Sequence, residues 1–363
     1  MSRYRIVIGV FLVAALFSAV ASDSLAYTIN TGFTDPCHER MTYRAAKDLF
    51  ASGLFKPESS VQVPTDDVWE AVSDYITRTM NLEFESDAQK FTVVSFMIGA
   101  RYPDNRGKSI TNVQSLREVH RDPNRQKDHF LREVGDDYSA GNELAIERGL
   151  DFIRFNVEAM REARNFPPAE QVVKIPLYVE FYGMVDVKIW APAFRLGIAT
   201  HAVQDSFSHT IRSDDLHRIR HVMNYVDAVT YSYKQDRDGL RHSWAMDRCK
   251  EEAVDIAAGA LEATTDFLAI ISSDDNVMAI DLERFFDDWM VYEQGCNAEN
   301  DFCNSRWAEI ARMDPSLPVL EEVFDCSQAP GSGTMRFIVI FLAVAIALIT
   351  RRIIVIARNR ISR

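Results

Sequence analysis

Apolar residues along this chain recur at three- and four-residue spacing far more often than at alternate positions, the period of amphipathic helices. The spacing predicts helices over 39–52, 66–81, 87–99, 140–163, 184–209, 214–234, 243–272, 280–294 and 304–312. Thr34 or Asp35 can cap the first, with Pro36 early in it. Strand signals are scarce. The stretch 99–128 is rich in Asp, Asn, Arg and Gly and reads as loop, and Pro167-Pro168 marks a turn. Neither a repeat nor a low-complexity linker interrupts the pattern before residue 326. One all-α domain over 27–325 is the economical reading.

Both ends break the pattern. Arg3 and Arg5 precede an apolar run from Ile6 to Phe17, and small residues follow through Ser24-Leu25-Ala26. Basic, apolar and small-x-small segments in that order predict a secretory signal peptide over 1–26, cleaved after Ala21 or Ala26, with an uncleaved anchor as the alternative. Near the other end, Phe337 to Thr350 is purely apolar for 14 residues. That falls short of the ~20 that span a bilayer, unless Arg351 and Arg352 snorkel and the run extends to Ala357. Residues 326–335 then form a small-residue hinge, and 336–363 a transmembrane or sorting helix with a basic tail held inside. The motif also resembles bacterial C-terminal sorting signals, whose helix a membrane protease removes. The expected location is the periplasm or cell surface, either anchored or released.

Charge changes the picture of partners. The chain carries −13 formally, while residues 335–363 hold six Arg and no acid, so the body between the two ends is more acidic than the whole. Such a body repels anionic polymers, which disfavours duplex nucleic acid and leaves carboxylates for cations. The five cysteines allow disulfides in an exported chain. Cys296 and Cys303 bracket a polar loop and suit a local bridge. Cys37 with Cys249 would be a second, though no spacing requires it, and Cys326 is left over. No Cys-x-x-Cys pair exists for a thiolate zinc site.

Four of the eight histidines, His201, His209, His217 and His221, fall within 21 residues. His201 and Asp205 are i and i+4, about 6 Å apart along one helix face. His209 lies a further turn along, about 12 Å from His201, so one ion cannot take both while the helix is straight. Asp205 between them has two oxygens and could bridge neighbouring ions. His217 and His221 repeat the i, i+4 spacing on the next predicted helix and could close a further ion with His209. The stripe around them (Phe194, Ile198, Val203, Phe207) is apolar, and buried Asp and His need partners.

At these residues the sequence resembles the zinc-dependent phospholipase C family, which is related to the fungal-type single-strand zinc nucleases. The family's pattern is a His opening a helix, an Asp in a loop, a His before Phe, a His-x3-Asp helix, and then further His and acidic ligands. The counterparts are His38, Asp104 in Arg101-Tyr102-Pro103-Asp104, His129 in Asp128-His129-Phe130, then His201, Asp205 and His209, within about residues 33–235. The resemblance implies an all-helical fold and two or three zinc ions. Asp104, His129, His201 and Asp205 would hold one. His38, Asp205 and the mature N-terminus, Tyr27 if cleavage follows Ala26, would hold another. His209, His217 and His221 would hold a third. The family's last pair is His-x3-Glu, whereas here the fourth position is His221, and Met223 stands where the Met223–Asp227 stretch should offer an acid.

Clustered divalent ions bind phosphate oxygens and acidify a water. The expectation is therefore a zinc-dependent phosphodiesterase, with Asp104 orienting or deprotonating that water. A membrane tether favours phospholipid, and no basic patch interleaved with aromatics suggests nucleic acid. The alternatives are a single-strand nuclease on the same fold and a non-catalytic metal-binding envelope module. His120 and His242 read as solvated or structural. Tyr178, Phe181, Tyr182 and Trp190 read as core. Asp214-Asp215 and Asp287-Asp288 read as solvated faces.

Overall fold

A computed structural model describes residues 36–52, 61–109, 118–179, 182–230, 232–243, 245–249, 253–271 and 275–313. The predicted signal peptide, Tyr27, the hinge with Cys326 and the C-terminal apolar segment lie outside these residues. The fold is mostly helical. Among the described residues no helix is long and apolar enough to cross a membrane.

Among the described residues the helices longer than one turn are, in chain order, α1 (Cys37–Ser52), α2 (Asp67–Met80), α3 (Asp87–Asn105), α4 (Tyr138–Arg164), α5 (Ala191–Ser208), α6 (Val254–Ile271), α7 (Asp275–Trp289) and α8 (Arg306–Arg312). A 3-10 helix covers Pro123–His129. Helix starts follow local chemistry. Asp66 accepts from the Trp69 N–H ahead of α2, Ser86 accepts from Gln89 N–H ahead of α3, and Pro192 sits in the first turn of α5.

The organising element is α5. Every residue from Leu196 to Ser208 is buried, as suits a helix with no solvent face. Helices α3, α4 and α6 pack against it, and α1 packs on α3 and α6. The α3–α5 crossing depends on two glycines. A Cβ on Gly99 would collide with the Phe194 carbonyl, and one on Gly197 with the Phe96 carbonyl. Backbone contact at this crossing brings Asp104 of α3 within reach of His201 of α5.

Three sequence expectations are corrected. The predicted helix 184–209 begins as a strand. β1 (Val172–Val179) and β2 (Gly183–Trp190) form an antiparallel hairpin in register from Val172↔Trp190 to Val179↔Gly183. Val185, Val187 and Ile189 alternate with Met184, Asp186 and Lys188, and the inward Val187 and Ile189 are buried, the period of a half-covered strand. The predicted helix 214–234 is likewise replaced by β3 (Thr210–Arg212) and β4 (Arg218–Val222), with β5 (Val291–Tyr292) parallel to β4 and only a one-turn helix at Val226–Val229. Helix α3 runs on through Asn105, so Asp104 lies on a helix rather than in a loop. Near the hairpin turn Tyr182 is exposed, whereas Trp190 is buried; Phe181 lies outside the described residues.

Among the described residues two disulfides are present, Cys37–Cys249 and Cys296–Cys303. The first joins the start of α1 to the turn at 245–249.

Candidate metal centre

Three elements converge on the C-terminal half of α5. His38 comes from the first turn of α1, Asp104 from the last turn of α3, and His129 from the end of the 3-10 helix. His201 and Asp205 face them from α5, and His209 follows directly after it. All are at most 1 % exposed.

The two oxygens of Asp205 face different partners. Oδ1 is 3.2 Å from His38 Nε2. Oδ2 is 3.1 Å from His129 Nδ1 and 2.9 Å from His201 Nε2. His201 Nε2 and His129 Nδ1 are 3.1 Å apart, and Asp104 Oδ1 is 3.7 Å from both. Two overlapping groups could each hold a metal ion: His38 with His201 and Asp205, and Asp104 with His129 and His201.

A third group lies beyond His209. Its Nε2 is 3.1 Å from His242 Nε2 and 3.4 Å from Asp247 Oδ1, and His242 Nε2 is 3.1 Å from Asp247 Oδ2. His209, His242 and Asp247 could hold an ion. Along α5 the groups are neighbours, for His209 Nδ1 is 3.8 Å from Asp205 Oδ2.

Hydrogen bonds behind the ligands set which ring nitrogen faces inward. His201 Nδ1 donates to the Ala100 carbonyl at 2.7 Å, and His209 Nδ1 donates to the His129 carbonyl. His38 Nδ1 donates to Gln204 Oε1 at 2.6 Å, while the Gln204 amide donates to Thr42 and Thr264. Each such bond leaves the Nε2 lone pair for the centre, the arrangement usual behind metal-bound imidazoles.

The carboxylates supply the physical reason to expect a cation. Asp104 Oδ1, Asp205 Oδ1 and both Asp247 oxygens are buried and accept no hydrogen bond among the described residues. Burying such oxygens without donors is costly unless a cation compensates. In the metal-free chain the strain shows as divergent protonation. Burial, with Asp205, Glu39 and Asp247 nearby, holds the Asp104 carboxyl well above the usual carboxylate range. Burial would also raise Asp205, but His201, His209 and His38 pull it well below that range. Burial pushes His201 down to about 4 and His129 well below the ordinary imidazole value. His209 goes the other way: burial opposes it, but Asp205 and Asp247 carry it up to about 9.

His217 and His221 do not join the centre. His217 precedes β4, and on extended chain residues four apart are drawn well apart along the strand instead of standing one helical turn from each other. His217 is exposed, stacks on Trp289 and lies with Nδ1 3.1 Å from the Asp288 carbonyl. His221 is buried, accepts from the Leu240 N–H at 2.9 Å through Nε2, and lies beside Arg132. It supports the loop that carries His242. That loop is laced to the rest by backbone bonds: Met223 N–H to His209 O, Arg132 N–H to Met223 O, Asn224 N–H to Leu240 O and His242 N–H to Asn224 O.

His242 and Asp247 escape a reading based on helical spacing because they sit on irregular chain. The available signal was a cysteine two residues after Asp247, with another directly before His38. The acid of this third group is Asp247, 24 residues beyond Met223. His120, read as solvated or structural, is buried with its ring 4.9 Å from the His129 ring. The chain matches no protein-family model, no curated protein and no solved structure.

Proposed function

We propose that the chain is a zinc-dependent phosphodiester hydrolase of the cell envelope, with phospholipid as the favoured substrate and two or three ions in its centre. The observation that carries this reading is Asp205, buried with one oxygen toward His38 and the other toward His129 and His201, next to a further three-donor group. Adjacent cation sites sharing a carboxylate suit a phosphodiester, whose non-bridging and leaving oxygens both need charge stabilisation.

The donor set and spacing favour zinc. Four ligands about 2.0–2.1 Å from one tetrahedral zinc stand about 3.3 Å apart. The separations of His129 Nδ1 and His201 Nε2 from each other and from Asp104 Oδ1 and Asp205 Oδ2 run from 2.9 to 3.7 Å, bracketing that value. Three donors at His209, His242 and Asp247 leave one tetrahedral position for water or substrate.

When bound, the ions supply Lewis acidity toward phosphoryl oxygens and lower the pKa of a water. His38, His201 and His209 hold their Nε2 lone pairs inward through the bonds to Gln204, Ala100 and His129. Asp205 fixes the spacing between neighbouring sites. Asp104, with Oδ1 3.7 Å from both His129 Nδ1 and His201 Nε2, is the carboxylate that orients or deprotonates the attacking water. The acidity of the chain speaks against long polyanions and for a small or lipid-borne phosphodiester.

The test is to export the full chain into an oxidising compartment, count metal per chain, and compare release of a chromophoric phosphocholine ester with cleavage of single-stranded DNA. Two or three zinc per chain with ester turnover is the expected result. Cleavage of DNA alone would transfer the reading to a nuclease. Metal without turnover of either would leave a binding module, and a chain that takes up no metal would refute the centre.

A further inference from the structure

One buried histidine beside the centre has no part in the three donor groups. His120 is 6 % exposed, and its Nε2 has no hydrogen-bond partner among the described residues. Its main chain is well fixed: the His120 carbonyl accepts from Gln126 Nε2 at 2.8 Å, and the same amide group bonds the Asp122 carbonyl at 3.0 Å. Gln126 is buried in the 3-10 helix that ends at His129. A fixed backbone with a spare, desolvated ring nitrogen is unusual, because buried polar groups ordinarily find partners.

Its position explains what the nitrogen is for. The His120 ring lies 4.9 Å from the ring of His129 and 6.3 Å from that of Tyr225. Tyr225 in turn lies 5.6 Å from the ring of His242. His120 therefore stands beside one ligand from the Asp205 group and, across Tyr225, one from the His209 group. Among the described residues it belongs to no group of mutually close donors, so it lies beside the ligand sets without being one of them.

We propose that His120 is a substrate-contacting residue, whose ring N–H donates a hydrogen bond to a phosphoryl oxygen held at the metal centre. This rests on the phosphodiesterase reading above. No covalent step is involved. The contact adds a charge-assisted hydrogen bond in a site shielded from water.

The experiment is a calorimetric titration of inorganic phosphate into the zinc-loaded full chain, in wild type, His120→Phe and His120→Asn. Phenylalanine fills the space without a ring N–H, and asparagine keeps a side-chain N–H donor. The expected result is a phosphate Kd about tenfold or more weaker in the Phe variant, an effect within about threefold in the Asn variant, and zinc content unchanged in both. Equal phosphate affinity in wild type and the Phe variant would overturn the proposal and leave the phosphodiesterase reading intact. Zinc lost from both variants in step with phosphate would also overturn it, since His120 would then serve the metal sites themselves. A zinc-loaded wild type that binds no phosphate would sink this proposal together with its parent reading.

Discussion

The two ends of the candidate metal centre are built differently. Around Asp205 every donor stands on a regular element: α1, α3, the 3-10 helix and α5. Around His209 only the first donor is attached to a helix, while His242 and Asp247 sit on irregular chain between β4 and α6. The first group is held by helix packing, down to backbone contact between α3 and α5 at Gly99 and Gly197. The second is held by a few main-chain bonds to residues 223–224 and by the Cys37–Cys249 disulfide. Helices position ligands rigidly, whereas a loop must be tied at several points before it can. The Asp205 end is thus the preformed part of the centre and the His209 end the conditional part.

Asp205→Asn is the strongest way to break that comparison. It removes the negative charge that faces both donor sets and replaces one of the two oxygens by an amide nitrogen that cannot bind a cation, while keeping size. Metal at the Asp205 end should be lost and phosphodiester turnover should fall by more than about a hundredfold, the upper end seen for losing an outer-layer partner. Metal analysis of the dialysed variant checks this. Full metal content would show that Asp205 is not shared between ions.

The conditional end should respond to redox state. Cys37 directly precedes His38, and Cys249 follows Asp247 by two residues, so the bridge ties a donor of each group together. Reducing it, or making Cys249→Ser, should weaken metal binding by about tenfold at the His209 group and leave the Asp205 group loaded; a change of 10- to 100-fold is typical when the support behind a ligand is removed. Stepwise chelator titration in reduced and oxidised protein separates the two. Equal weakening at both ends would mean that the bridge holds the fold rather than one site.

The same division marks what the sequence made legible. His201 and Asp205 could be read from i, i+4 spacing because a helix repeats regularly, and Asp205 as a shared carboxylate from the length of one turn. His217 and His221 have the same spacing and do something else, because Ile219 and His221 alternate with exposed or half-exposed neighbours as a strand. Spacing cannot distinguish the two when the segment is short. The β1–β2 hairpin is hidden in the sequence for the related reason that Val185, Val187 and Ile189 run straight into the helical period of α5. His242 and Asp247 depend on tertiary contacts from residues 209, 224 and 240, which no local period encodes.

Protonation offers a finer test of the junction between the ends. In the metal-free chain His209 is pushed up to about 9, above the ordinary 6.5, by Asp205 and Asp247 against the effect of burial. A raised imidazole contributes stability that is complete below the unfolded value and lost as pH rises through the folded one. The raised Asp104 carboxyl acts in the same direction. Chelator-stripped protein should therefore lose stability between pH 6.5 and 9, by up to about 3 kcal/mol for His209 at ~1.4 kcal/mol per unit. Zinc-loaded protein, whose ligands carry no proton, should be flat over that window. Thermal melts across the range decide it, and parallel curves with and without metal would refute the placement of His209 at an ion.

The smallest effect is the most discriminating for the loop. His221→Leu removes the acceptor of the Leu240 N–H and leaves that buried group without a partner. Gly239, with φ of 82°, lies so close under the His221 ring that a Cβ there would collide with it, so the ring and the turn fit each other. The variant should lose about 1–3 kcal/mol, the cost of an unmade buried hydrogen bond, with zinc content at neutral pH unchanged. The family resemblance implies the reverse, a lost ion with little change in stability. Denaturant melts run beside metal analysis therefore assign His221 to the support of the loop or to its ion. Because β4 holds His221 away from the His209 group and the Leu240 N–H already occupies its Nε2, the structure favours support.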